Sequence, residues 1–508
     1  MTLDEPRHDI DAPRRPRTWG RGARRRVPLT TVILAVALGV RLAVVFARPQ
    51  YHPVLDGLDY HGIARSLVRG GGYMLGPNIT AFRPPCYAFF LAGVYLLTGI
   101  PGAKEAVEVV GVVQAALGTV TVGLLGSVAG VLWGRRTRLA ALGIAAVYVP
   151  FVEVGEAYVS ETLFLPLMLG ALLCALRHRQ QQRWRWSAAG GLLMGLAILT
   201  RPDGIVVVLP LCVGLWCGRP RRSWRALQPP AVMLMAAVIA VAPWTVRNAV
   251  SLHSFIPVST EMGETLAGTY NDVARHDAHD PAAWRVPRRI SPYLAIFRRP
   301  GVDEHERDSA LTSSVAGYVR GHPGYVGTVV WWNTRRLVEL AGMHRSRATA
   351  ATIGIGHDTA TAGVVSFWLV GLLAVFGASR RQVRRAPLWF WACPAVIYAS
   401  IVVVTVETPR FRSPLDPFVV LLAAIGARSA AHYAASLTRA GAAEVRRHLW
   451  GCREYRPRNH RIRGLRGLTE SLARQNDEVG LSRQRGSVPG GGGSRWARVG
   501  RARARRRR

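Results

Sequence analysis

Lysine is nearly missing from this chain. Lys104 is the only one among 508 residues, and arginine carries the formal net charge of +36. That preference reads as GC-rich coding bias rather than chemistry. Such an excess of positive charge invites a nucleic-acid partner. The basic residues, however, cluster beside apolar stretches, where orientation in a membrane requires them, and no nucleic-acid partner is expected. Paired cysteines are missing too. Cys86, Cys174, Cys212, Cys217, Cys393 and Cys452 show no metal-site or disulfide spacing, which excludes a disulfide framework and a zinc site. Most sit in or beside apolar runs, where Cys behaves as a small apolar residue. No small-residue cleavage site follows the first apolar run, whose preceding N-region is 28 residues long. A cleaved signal peptide is therefore excluded.

Apolar sequence is abundant, at 49% hydrophobic residues. Runs of membrane length recur at 29–47, 107–133, 138–152, 157–176, 187–200, 203–217, 230–246, 360–376, 387–406 and 414–427. A span needs roughly 20 apolar residues, and bundled or broken helices use fewer. The expectation is an all-α integral membrane protein of about ten transmembrane helices. Arg41 lies inside the first run and must face the bundle or snorkel.

Charge sets the expected topology. The N-terminal tail, residues 1–27, is Arg-rich, and further basic clusters lie at 135–138, 177–185, 219–225 and 380–385. If all are cytoplasmic, the ten runs cross in pairs, both termini are cytoplasmic, and the external parts include loops 48–106 and 247–358. The apolar segment 84–99 tests the scheme. Its sixteen residues make only about 24 Å of helix, short of the ~30 Å core, so it is assigned to an interfacial or re-entrant helix. The membrane module then spans 28–436. Residues 437–508 hold 20 Arg against 5 acidic residues, with a glycine linker at 490–493, and are expected to form a disordered tail. The location implied is the bacterial cytoplasmic membrane, multi-pass.

The first external loop is the most informative stretch. From Tyr60, the residues Tyr60, Ile63, Ala64, Leu67 and Val68 share one helical face, which predicts an amphipathic helix on the membrane. Asp56 stands at its N-terminal end as a natural cap, and Asp59 lies one helical step away. Arg83 precedes Pro84-Pro85, which opens the interfacial helix. In loop 247–358 seven histidines are scattered, and no metal site is expected from them.

The order of these features resembles the GT-C superfamily of lipid-dependent glycosyltransferases, on the branch of protein O-mannosyltransferases and the lipid A aminoarabinose transferase. The residues that carry the resemblance are Asp56 after the first span, Tyr60 four residues later, Gly70–Gly72 and Arg83-Pro84-Pro85. Glu161 in Val159-Ser160-Glu161-Thr162, the Thr200-Arg201-Pro202 break, and the turn Pro409-Arg410-Phe411-Arg412 complete it. It covers roughly residues 28–270 well and the last spans loosely.

The resemblance implies an inverting transfer of sugar from a polyprenyl phosphate to an acceptor hydroxyl on a protein, lipid or glycan outside the membrane. A phosphate already leaves well. The enzyme then supplies a carboxylate for the acceptor proton and cations for the charge developing on phosphate. Asp56 is the candidate base, with Asp59 the alternative. Glu161 is the candidate second acid, with Glu156 as its neighbour. Arg83, Arg201, Arg247 and Arg410, with Arg412 beside it, are the candidate phosphate ligands, since the guanidinium fork binds phosphate bidentately. Asn271 is a candidate sugar contact. No cofactor is required, a divalent cation being the one left open. The rivals are a transporter or lipid flippase, and a non-catalytic envelope-assembly protein.

Overall fold

A computed structural model of the chain describes residues 27–48, 51–99, 104–217, 224–404 and 409–451. The chain divides into two units, Met1–Ser436 and Leu437–Arg508, and the site lies wholly in the first. Helix α1, Leu29–Ala47, is the first apolar run. It packs on α4, Lys104–Trp133, and α5, Arg135–Val147. Arg41 faces the bundle, as a charge in this position must. It is 2% exposed and donates to the carbonyls of Ala37 and Ala146 at 3.0 and 3.2 Å. Gly118 makes room for it, because a Cβ there would stand 2.7 Å from Arg41 Nε.

Between α1 and α4 the chain stays at one end of the bundle. Helix α2, Asp56–Val68, buries Tyr60, Ile63 and Ala64, the face that the sequence periodicity marks. A two-strand hairpin, β1 Met74–Leu75 and β2 Asn78–Ile79, leads to α3, Pro85–Thr98. Pro85 starts α3 where no intrahelical N–H bond is lost. Gly99 ends it at φ 67°, a conformation that suits glycine.

A break at Tyr148, with Pro150 in the first turn beyond it, bends α5 from α6, Val149–Glu156, by 52°. Then come α7, Glu161–Gln181, and α8, Trp184–Ile198. Helices α9, Ile205–Trp216, and α10, Gln228–Ser251, follow. Close packing of α8 on α10 uses Gly191 and Gly195; a Cβ at Gly191 would lie 2.1 Å from the Met233 carbonyl oxygen. Small residues at such crossings let helices approach within a membrane.

Loop 247–358 is not an open loop. It holds α11 Met262–Thr269, α12 Asp272–His276, α13 Tyr293–Phe297, α14 Glu304–Gly321, α15 Pro323–Leu337 and α16 Met343–Ala351. Ala267, Tyr270, Ile290, Tyr293, Leu311 and Val329 give it a core of its own. The chain returns through α17, His357–Ala378, α18, Leu388–Val404, and α19, Asp416–Gly451.

Helices occupy most of each of the ten apolar runs. Among the described residues, six helices, or seven if the bent α5–α6 pair is one span, are long and apolar enough to cross a membrane by length and composition. Helices α3, α8 and α9 are shorter, at 14, 15 and 12 residues, and α18 is described as far as Val404. The expected disordered tail is corrected at its start: α19 continues through 437–451. Residues 1–26 and 452–508, where the remainder of the two tails was expected, lie outside the described residues.

Candidate active site

Six segments bring charge to one place: the start of α2, the turn before α3, the start of α7, the break after α8, the residue before α11, and the turn 409–412. None of these side chains is placed by its own helix alone. Arg83 sits on an extended turn whose backbone is held from behind. Tyr73 Oη donates to the carbonyls of Arg83 and Pro84 at 2.9 and 3.2 Å. Arg247 donates to the carbonyls of Thr80 and Tyr73 at 2.8 and 3.1 Å. Glu304, at the start of α14, accepts from Thr80 Oγ1 at 2.6 Å, from the Ala81 amide at 3.0 Å and from Thr260 Oγ1. The chain is thereby fixed from two sides.

Thus positioned, Arg83 spreads its guanidinium over three carboxylates. Nη2 reaches Asp56 Oδ1 at 2.6 Å and Asp59 Oδ2 at 2.9 Å, Nε reaches Asp59 Oδ2 at 3.0 Å, and Nη1 reaches Glu261 Oε2 at 3.1 Å. The other oxygen of Asp56 accepts from Arg410 Nη2. Arg410 Nε also stands 3.7 Å from Glu161 Oε1, which pairs with Arg201. Arg201 in turn binds Asp203 at 3.1 Å. The Glu161 side chain is 1% exposed, against 26% for Asp56. Asp56 is thus open to solvent, as are Asp59, Asp203 and Glu261, and Glu161 is sealed behind the arginines.

The electrostatics follow from this geometry. Burial by itself raises the Asp56 carboxyl, but Arg83 and Arg410 outweigh it and hold the group well below the usual carboxylate range. At Glu261 burial wins over Arg83, and the carboxyl is pushed up. Burial disfavours the Arg83 cation, yet Asp56 and Glu261 more than compensate and hold it charged. Tyr60 is buried, lies edge-on to Tyr87 with ring centroids 5.0 Å apart, and has Arg83 5.9 Å above its ring. Its phenol is pushed up by burial, so it stays neutral and lines the site.

Several expected residues fall elsewhere. Asp56 is no cap: it is the first residue of α2, Leu55 precedes it at φ 45°, and no side chain caps this helix. Arg247 is not in the cluster; it braces the Arg83 turn. Glu156 pairs with Arg48 at 2.8 Å. Asn271 caps α12, accepting from the Ala274 amide at 2.8 Å and donating to the carbonyls of Ala267 and Gly268. Both of its amide N–H donors are therefore engaged, and Oδ1 already accepts one bond. Arg412 turns away to Glu339 and Asp416, at 2.9 and 3.0 Å. These groups line a cavity of about 30 Å³ that Arg410 also borders.

Glu261, Asp203 and Glu304 complete the site beyond the residues expected of it. A cation does not fit these residues as they stand, because Arg83 occupies the point where Asp56, Asp59 and Glu261 converge. Among the described residues no group of three or more His, Cys, Asp or Glu is arranged to hold a metal ion.

Residues 82–246 match the model of the dolichyl-phosphate-mannose-protein mannosyltransferase family. The match starts at the Arg83 turn and takes in Glu161 and Arg201. It covers less than half of the chain. Comparison with curated proteins gives no match. Among solved structures, the chain aligns with the archaeal oligosaccharyltransferase AglB from Archaeoglobus fulgidus, in complex with an inhibitory peptide and a dolichol-phosphate. Identity is 13%, coverage 81% of this chain and 52% of that one, and the TM-score 0.47. The chain thus spans about half the length of that relative. It also aligns with ArnT from Cupriavidus metallidurans in the apo state, at 18% identity, 78% and 77% coverage and a TM-score of 0.35. For the S. cerevisiae protein O-mannosyltransferase complex bound to the sugar donor, the figures are 17%, 48% and 36%, and 0.36.

Proposed function

We propose that this chain is a GT-C-type membrane glycosyltransferase that moves a sugar from a polyprenyl phosphate to an acceptor hydroxyl at the outer face of the membrane, with inversion. The observation that carries this is the position of Asp56, a partly open carboxylate gripped by Arg83 and Arg410. A base and two phosphate-binding cations are thereby in direct contact before any substrate arrives. The family match over 82–246 supports a polyprenyl-phosphate donor.

In the proposed reaction the donor phosphate draws Arg83 and Arg410 toward its own oxygens, and their hold on Asp56 loosens. The carboxylate then becomes more basic at the moment that it is needed. It takes the proton of the acceptor hydroxyl. The acceptor oxygen forms its bond to the anomeric carbon from the face opposite the phosphate. The bond to the phosphate oxygen breaks, and the electron pair leaves with polyprenyl phosphate. The guanidiniums stabilise that charge in a site from which water is largely excluded. Glu161, sealed between Arg201 and Arg410, positions both and does not exchange protons with the acceptor. The reaction needs no general acid, since the phosphate departs as a stable anion.

The test is transfer itself. Purified protein in lipid discs is incubated with radiolabelled polyprenyl-phosphate sugars and a membrane extract. Label moves from one donor into an acceptor fraction, with release of unlabelled polyprenyl phosphate. Label that stays on every donor, in a preparation that melts cooperatively, overturns the proposal.

A further inference from the structure

At the other end of α4 the chain builds a second cationic centre. The corner between α4 and α5 carries Arg135, Arg136 and Arg138; the short 3₁₀ turn 381–385, with Arg380 before it, carries Arg381, Arg384 and Arg385; α19 contributes Arg428. Specific bonds pin these pieces together. Trp133 Nε1 donates to the Gln382 carbonyl at 2.9 Å, and Trp391 Nε1 to the Val383 carbonyl at 3.3 Å. Arg428 Nη1 donates to Thr137 Oγ1 at 3.0 Å. Arg428 feels Arg385 and Arg136 as like charges.

Folding has therefore gathered cations from three separate segments, and repulsion between them costs stability unless an anion joins them. Among the described residues, no carboxylate pairs with any of these arginines. The buried Nε atoms of Arg138 and Arg380 have no hydrogen-bond partner. Apolar surface adjoins the charge: Leu388 is 88% exposed and Val375 73%, and Arg380 stacks on the Phe376 ring at 3.8 Å.

We infer that Arg136, Arg385 and Arg428 form a binding site for the phosphate of an anionic lipid head group, with the acyl chains lying along Leu388 and Val375. The exposed apolar flank selects a lipid over a free phosphate ion. Basic pockets between membrane helices take such head groups for the same reason. The site is distinct from the Asp56 cluster, since α4, thirty residues long, separates them by up to ~45 Å.

Native mass spectrometry of the whole protein tests this by titrating phosphatidylglycerol against phosphatidylcholine. Phosphatidylglycerol is expected to be retained preferentially, and its retention to fall with rising salt while that of phosphatidylcholine does not. The triple variant Arg136→Gln, Arg385→Gln, Arg428→Gln should lose phosphatidylglycerol affinity about 100-fold, at roughly fivefold per arginine. The charge-matched variant Arg298→Gln, Arg299→Gln, Arg320→Gln, all on exposed positions of the loop 247–358, should keep it. Equal retention of the two lipids, full displacement by inorganic phosphate, or an unchanged affinity in the first variant overturns the site. If that variant fails to insert, the salt dependence on the wild-type protein decides alone.

Discussion

Replacing Asp56 by Asn probes the proposed chemistry most directly. The side chain keeps its shape, and it releases no helix cap because it makes none. One oxygen still accepts from one arginine. The new amide, however, presents N–H to the second guanidinium, where the carboxylate had accepted from both Arg83 and Arg410. Losing one charge-assisted bond and weakening the other at a partly exposed site should cost about 1–3 kcal/mol of stability, leaving a folded protein. Loss of the general base should lower transfer by roughly 10²–10⁴-fold. Asp56→Glu should also be poor, since misplacement by about an ångström costs on the order of 100-fold. Asp59→Asn is the control. Asp59 binds the same Arg83 through two bonds of 3.0 and 2.9 Å but touches no second arginine. A tenfold loss or less is expected there, within the effect of one charge-assisted bond. The assay is donor-to-acceptor transfer of label, with a melting curve for each variant. A dead Asp59→Asn beside an active Asp56→Asn refutes the assignment, and two active variants refute the mechanism. The pH dependence has a definite sign. With its pKa depressed by Arg83 and Arg410 against the pull of burial, Asp56 is ionised throughout the neutral range. Its contribution to stability is present above the ordinary value of about 3.9 and is lost as pH falls through the lower folded value. Before donor binds, no titration of this group should appear between neutrality and that ordinary value. A limb in kcat/KM in that interval that persists in Asp56→Asn identifies a different base.

Three further outcomes are expected. Arg83→Ala should abolish transfer and also lower the melting temperature, because it strands Asp56, Asp59 and Glu261 together. Arg83→Lys, which keeps the charge without the fork, should recover stability more than activity; a variant with Ala and wild-type donor kinetics removes Arg83 from the site. Asn271→Ala should cost about 1 kcal/mol through the lost cap and leave KM for donor unchanged, so a selective rise in KM restores Asn271 as a sugar contact. A cysteine placed at Arg136 should resist an impermeant reagent in intact cells, and labelling there overturns the inward assignment of residues 133–138.

Much of the site was legible because its parts are local motifs. Asp56 and Tyr60 lie one turn apart on one helix, and Arg83 stands directly before the two prolines that open α3. What sequence spacing cannot give is partnership between distant segments. Nothing near Arg247 shows that it braces the turn 73–84, while Arg410 enters the cluster from beyond the opposite end of the loop helices. Both are arginines near span ends, and only the folded chain separates a brace from a ligand. Asn271 was misplaced for a related reason: an Asn before Asp272 and Val273 suits a helix cap as well as a sugar contact. Glu304, which ties two loops together, lies among exposed charges of α14 and carries no pattern of its own. Likewise, apolar runs locate the helices, while the turns between runs set where each one ends; prolines 166, 210, 243 and 394 lie inside helices and end none of them.

The grip of Arg410 on Asp56 joins residues 354 positions apart, and this orders events during synthesis. Chains emerge N-terminus first, so Asp56, Asp59 and Arg83 meet while most of the protein is still unmade. Glu261 and Glu304 come next and lock the turn. Arg410 arrives only with the last helices. Under the proposed mechanism a half-translated chain thus holds Asp56 and Arg83 but lacks Arg410, and transfer is expected only once the final turn docks.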